Sequence, residues 1–181
     1  MVARSPAAPQ AVPSGIATQR ASACLGGATD LTSAMQYAQA SAPLTGTGAA
    51  EFVATYVRWW NSGPTPTQAE HRTLLPALVT PEALPAVSAL LRPPPTDPPP
   101  TTSASAVGGY YRIDEATATR AQVSVVIPAQ ASPPGGPSSE LTLWGSYTVA
   151  AVNGVWRLAG VPVATDRATV ETQGQMFGGT C

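Results

Sequence analysis

Apolar positions recur at helical spacing between residues 30 and 91, and beyond residue 108 they alternate. The spacing predicts a helix over 30–42, DLTSAMQYAQASA, capped by Asp30 and stopped by Pro43. GTGAAEFVATYVRWWNSG, 46–63, carries the clearest helical pattern. Phe52, Val53, Tyr56, Val57, Trp59 and Trp60 recur three, four, seven and eight residues apart and form a wide apolar stripe. TPTQAEHRTLLPALV, 65–79, opens a third helix, with Thr65 as cap, Pro66 at the first helical position and Gln68 as capping-box partner. Thr80, Pro81 and Glu82 repeat the device before a short helix with Leu84, Val87, Leu90 and Leu91 on one side. Pro76 and Pro85 should keep both pieces short or kinked.

RPPPTDPPPTTSAS, 92–105, reads as a polyproline-like connector with no core of its own. The segments 108–120 and 121–131 form a strand pair turning near Glu115, Ala116 and Thr117, with Val123, Val125 and Ile127 on one face. ASPPGGPSS is a loop, and SELTLWGSYTVAAV leads into a hairpin closed by Asn153 and Gly154. That two-residue turn pairs Val152 with Val155, Ala151 with Trp156 and Val149 with Leu158. Tyr147, Val149, Ala151, Trp156 and Leu158 then share the face assigned to the core, while Thr148, Ala150, Val152, Val155 and Arg157 point outward. Helices followed by antiparallel strands predict an α+β fold, its N-terminal helices packed on a curved antiparallel sheet of about four strands.

Composition then narrows the class. The 181 residues suffice for one domain, expected over 23–165, between a disordered stem at 1–22 and a C-terminal tail at 166–181. Net charge is −1 and the nine cations, all Arg, are dispersed, so no basic field is available for direct nucleic-acid binding. No stretch has the roughly 18–20 apolar residues of a membrane helix, and prolines interrupt any signal-peptide core before Cys24. The two cysteines, Cys24 and Cys181, bracket the fold. They read either as a disulfide, which implies an oxidising compartment, or as two unrelated thiols.

Candidate chemistry is sparse. His71, the single histidine, lies between Glu70 and Arg72 and reads as a solvated surface residue. With Asp114 and Tyr111 it forms the one acid–base set the chain could offer at a pocket. Asp114 and Glu115 also read as a solvated turn. Trp59 and Trp60 both read as core residues; since they are about 100° apart on their helix, the alternative is that one enters the core and the other lies at the edge as a contact anchor. With Arg157 they are the interaction candidates. No phosphate loop, metal-ligand cluster or nucleophile motif is present, and no cofactor or metal is expected.

The order of elements resembles the nuclear-transport-factor-2-like, or cystatin-like, fold. More narrowly, ACLGG, GAAEFVATYVRWW and YTVAAVNGVWRLAGVPV look like extracytoplasmic proteins of actinobacterial conjugative elements, similar to TcpC-type conjugation proteins and to the type IV secretion assembly subunit of that fold. The resemblance implies a half-barrel cone that acts as a non-enzymatic scaffold in a conjugal DNA-transfer apparatus. It also implies an envelope location, a membrane anchor outside this chain, and partners among membrane and channel proteins, and it carries over no catalytic residue. A homo-oligomer joined through the sheet face is compatible with that role. The alternative it allows is a small-molecule-binding or isomerase-like member with a pocket in the cone.

Overall fold

A computed structural model describes residues 20–64, 66–91 and 100–181. The first helix, α1 (Leu31–Ser41), starts as expected, with Asp30 accepting a 3.0 Å hydrogen bond from the Ser33 N–H. Helix α2 (Gly46–Asn61) is capped by Thr45 and buries an unbroken run from Gly48 to Trp59. It is covered on all sides, beyond the one-sided stripe its pattern predicts. In α3 (Gln68–Leu78) the cap is Thr67 and its box partner is Glu70, two residues beyond the expected pair. The Thr67 hydroxyl accepts from the Glu70 N–H, and the Glu70 carboxylate accepts from the Thr67 N–H. Thr65 lies outside the described residues. The short α4 (Leu84–Ser88) buries Val87, whereas Leu90, expected beside it, is 45% exposed.

The sheet has six antiparallel strands in place of the expected four or so. They are β1 (Thr101–Ala104), β2 (Tyr110–Ala116), β3 (Arg120–Ser132), β4 (Ser139–Val152), β5 (Val155–Leu158) and β6 (Gln175–Met176). The order runs β5-β4-β3-β2-β6, and β1 pairs with the far end of β3. Strands β1 and β2 thus lie end to end along one side of β3, which pairs with both. Part of the expected connector is therefore β1, while residues 92–99 lie outside the description. Residues 166–181, expected as a tail, carry helix α5 (Arg167–Gln173) and the edge strand β6.

The hairpin register is as predicted, Val149 to Leu158, Ala151 to Trp156 and Val152 to Val155. Asn153 and Gly154 both have positive φ, +53° and +80°, the geometry that brings a two-residue turn into line with strand twist. Val149, Trp156 and Leu158 are fully buried and Tyr147 nearly so, against α2 and the buried Val123, Val125 and Ile127. Arg157 is half-buried on the other face.

That other face follows from register, because residues directly opposite in antiparallel strands share a face. Met176 opposes Tyr110, Tyr110 opposes Val126, and Val126 opposes Trp144, so one apolar row crosses four strands. Helix α5 packs against β2 and β3, and Val126 and Ser124 are buried. The row's ends stay open, Met176 at 47% and Trp144 at 52% exposure.

Candidate functional site

Full burial of α2 forces its polar residues to find partners inside the protein, because an unpaired buried charge is costly. Glu51, Thr55 and Arg58 lie four and seven residues apart, on one side of the helix. The Glu51 carboxylate accepts hydrogen bonds from the backbone N–H groups of Ser22 and Ala23 and from the Ser22 hydroxyl. The Arg58 guanidinium donates to the carbonyls of Ala23, at 2.9 Å, and of Ala104 and Gly27. Burial lowers its pKa. On the opposite flank, the Tyr111 hydroxyl accepts from the Ala21 N–H and donates to Gln175 Oε1 at 2.8 Å. The Gly178 N–H donates to the Ala21 carbonyl, and Cys24 is joined to Cys181 by a disulfide. Residues 21–24 are thus gripped from three sides. Ala21 and Ser22, expected in a disordered stem, are built into the fold; residues 1–19 lie outside the described region.

Glu51 and Arg58 were not among the expected site residues. The signal for them was available: two opposite charges one heptad apart inside the most apolar helix of the chain.

The candidate acid–base groups sit in separate settings. His71 is 7% exposed, not a surface residue: successive helical positions are about 100° apart, so it turns inward while Arg72 faces solvent. Its Nε2 donates to the Trp59 carbonyl at 3.1 Å, since a carbonyl can only accept. Its ring meets Trp59 edge-on at 4.4 Å and lies 5.6 Å from Trp60. Asp114 is a bulge residue of β2 on the outer face. It is no free turn carboxylate, because it accepts from Arg112 Nε at 2.6 Å and from the Ser124 hydroxyl. Tyr111 stacks on Phe177 and is committed to Ala21 and Gln175. The cavity that His71 lines includes neither Tyr111 nor Asp114. Of the interaction candidates, Trp59 is fully buried, whereas Trp60 and Arg157 are half-buried. Tyr147 is pushed up to about 12 by burial, and Tyr56 is raised for the same reason, so both are neutral phenols within the core.

Burial lowers the His71 pKa, against smaller raising effects from its bond to Trp59 and from the Glu70 charge. A histidine held neutral in the fold binds fewer protons than in the unfolded chain, so stability is lost as pH falls through the ordinary value of about 6.5. Urea unfolding of the native chain should show this acid-side loss. His71→Gln, which keeps a donor for the Trp59 carbonyl without titrating, should flatten the curve between about pH 7 and 5.

Among the described residues no three His, Cys, Asp or Glu side chains converge as metal ligands, and no helix is long and apolar enough to cross a membrane. No protein-family model and no curated protein matches the chain. Among solved structures, the intermembrane-space region of the chloroplast protein ARC6 aligns over 61% of this chain and 88% of that one, at a TM-score of 0.38 and 15% identity.

Proposed function

We propose that this chain is an extracytoplasmic assembly domain, working through protein contacts in a conjugal-transfer or type IV secretion-like apparatus, on a nuclear-transport-factor-2-like scaffold. The observation that carries the reading is the closed N-terminal grip. The Cys24–Cys181 disulfide fits an oxidising compartment. Glu51, Arg58 and Tyr111 hold the chain where it enters the fold, which suits a domain tethered through its N-terminal side. The polar groups that a catalytic reading would recruit are engaged in holding structure. The exposed ends of the apolar row, Trp144 and Met176, supply contact points on either side of its buried middle, since aromatic residues and Met are enriched at the cores of protein interfaces.

In-cell photocrosslinking tests the reading. A photoreactive phenylalanine analogue replacing Trp144 in the native host is expected to capture envelope proteins of the transfer channel. Adducts confined to soluble metabolic enzymes, or thiols at Cys24 and Cys181 that alkylate in freshly lysed cells, would overturn it.

A further inference from the structure

Strand β4 outruns its neighbour β5 at one end of the sheet. β5 pairs with it only from Val149 to Val152, and the chain after β5 bonds to Thr148 and Ser146 through Ala159 and Val163. From Ser139 to Gly145 no strand among the described residues lies on the side of β4 away from β3. Glu140, Leu141 and Trp144 are exposed there, the two apolar side chains at 43% and 52%.

The direction of the backbone groups on this edge follows from their neighbours. Ser146 both donates to and accepts from Val163, so its N–H and C=O point away from β3. Both groups of a residue point the same way in an antiparallel strand, and the direction alternates along it. The β3–β4 register is unbroken down to Ser139, so Trp144, Thr142 and Glu140 also turn their N–H and C=O outward. Pro128, opposite Thr142, agrees: its carbonyl faces away from β4 and accepts from the Ser105 N–H. Natural sheets blunt such an edge with Lys, Pro or a bulge. SELTLWG, 139–145, has no Lys, Arg or Pro, and its pairing with β3 has no bulge. A net charge of −1 also leaves little repulsion between copies of the chain.

We infer that a second copy of this chain pairs antiparallel with this edge, about a twofold axis at Thr142. The two ends of the edge set the register. With Thr142 opposite itself and Glu140 opposite Trp144, all three outward residues of each copy are used. Ser139 of the second copy then lies opposite Gly145, where its strand begins, just short of the place beside Ser146 that Val163 fills. Residues directly opposite share a face, so the exposed Leu141 meets Leu143 of the second copy on the helix side. On the outer face Thr142 meets Thr142, a favourable cross-strand pair, and no like charges stand opposite. The twofold closes the assembly at a dimer. It leaves the outer face free for other contacts and stands whether or not the transfer-apparatus reading holds.

Sedimentation equilibrium of the full oxidised chain, with amide hydrogen exchange read residue by residue, tests the pairing. A monomer–dimer equilibrium is expected. The N–H groups of Glu140, Thr142 and Trp144 should exchange slowly in concentrated protein and fast in dilute protein. Those of Leu141 and Leu143, which face β3, should stay protected in both. Thr142→Pro removes an N–H that β3 does not use, and proline is tolerated at such an edge. It deletes one bond per copy at the axis, so dimer affinity should weaken about tenfold or more. Thr142→Lys places like charges opposite each other and should weaken the dimer without touching the backbone. Each variant's urea midpoint is measured alongside, so that lost pairing is read only from folded protein. The proposal falls if the native chain is still monomeric at about 1 mM, the weak end of the affinity scale. It falls equally if a dimer forms with these three amides unchanged, or survives both variants undiminished. Protection of the three amides in dilute monomer would overturn it in favour of a segment of this same chain.

Discussion

Replacing Cys24 and Cys181 together by Ser is expected to lower the unfolding free energy by about 2–5 kcal/mol. The bridge spans a separation of 157 residues, for which the chain-entropy account gives roughly 5 kcal/mol. The effect arises mainly in the unfolded chain, because the native segment keeps its other holds. Ala21 stays bonded to Tyr111 and Gly178, Ser22 and Ala23 to Glu51, and the Ala23 carbonyl to Arg58. The double variant should therefore retain its native near-ultraviolet circular dichroism while its urea midpoint falls. Native protein treated with reductant should move to the same midpoint. A midpoint unchanged in both would mean that the bridge constrains nothing the unfolded chain does not already avoid. The two ends are not equivalent in a further respect. The Cys181 carbonyl accepts from the Ala106 N–H at 2.7 Å and from the Ser105 hydroxyl, so the C-terminal residue is also fastened to the loop between β1 and β2.

What was readable in the sequence divides along physical lines. The helices and the hairpin emerged from periodicity and turn chemistry, which are local: Asn153 and Gly154 alone set the register that pairs Trp156 with Ala151. Elements held by distant partners did not emerge. Thr101–Ala104 shows no alternation of apolar and polar residues, and it becomes a strand because the Ala129–Ser132 end of β3 is free to pair with it. Gln175 and Met176 are a strand only because β2 lies beside them and the disulfide fixes the chain just beyond. The row of Met176, Tyr110, Val126 and Trp144 depends on the register of four strands, which no single stretch encodes. Glu51, Arg58 and His71 were missed as buried groups for a related reason. Periodicity arguments assign charged and imidazole groups to water, and only the segment packed over α2, or the indoles around His71, reverses that assignment.

The largest single-residue loss is expected at the hairpin. Trp156 is fully buried, packs within the main core and donates its indole N–H to the Pro43 carbonyl at 2.9 Å. It thereby fastens β5 to the corner between α1 and α2. Trp156→Ala should cost about 3–5 kcal/mol, the range for removing a large aromatic from a packed core. Trp156→Phe separates the packing from the hydrogen bond, because it keeps most of the ring volume and removes the donor. The Pro43 carbonyl also accepts from the Thr45 N–H at 2.8 Å, so it is not orphaned when the indole leaves. The Phe variant should therefore lose only about 1 kcal/mol for the bond, plus the share of ring volume it fails to fill. Both costs are read from urea midpoints at unchanged slope, with hydrogen exchange across 149–158 following the loss. If Phe proves as costly as Ala, the indole bond and not the filled volume governs this corner, and β5 is then held to the helices chiefly through Pro43.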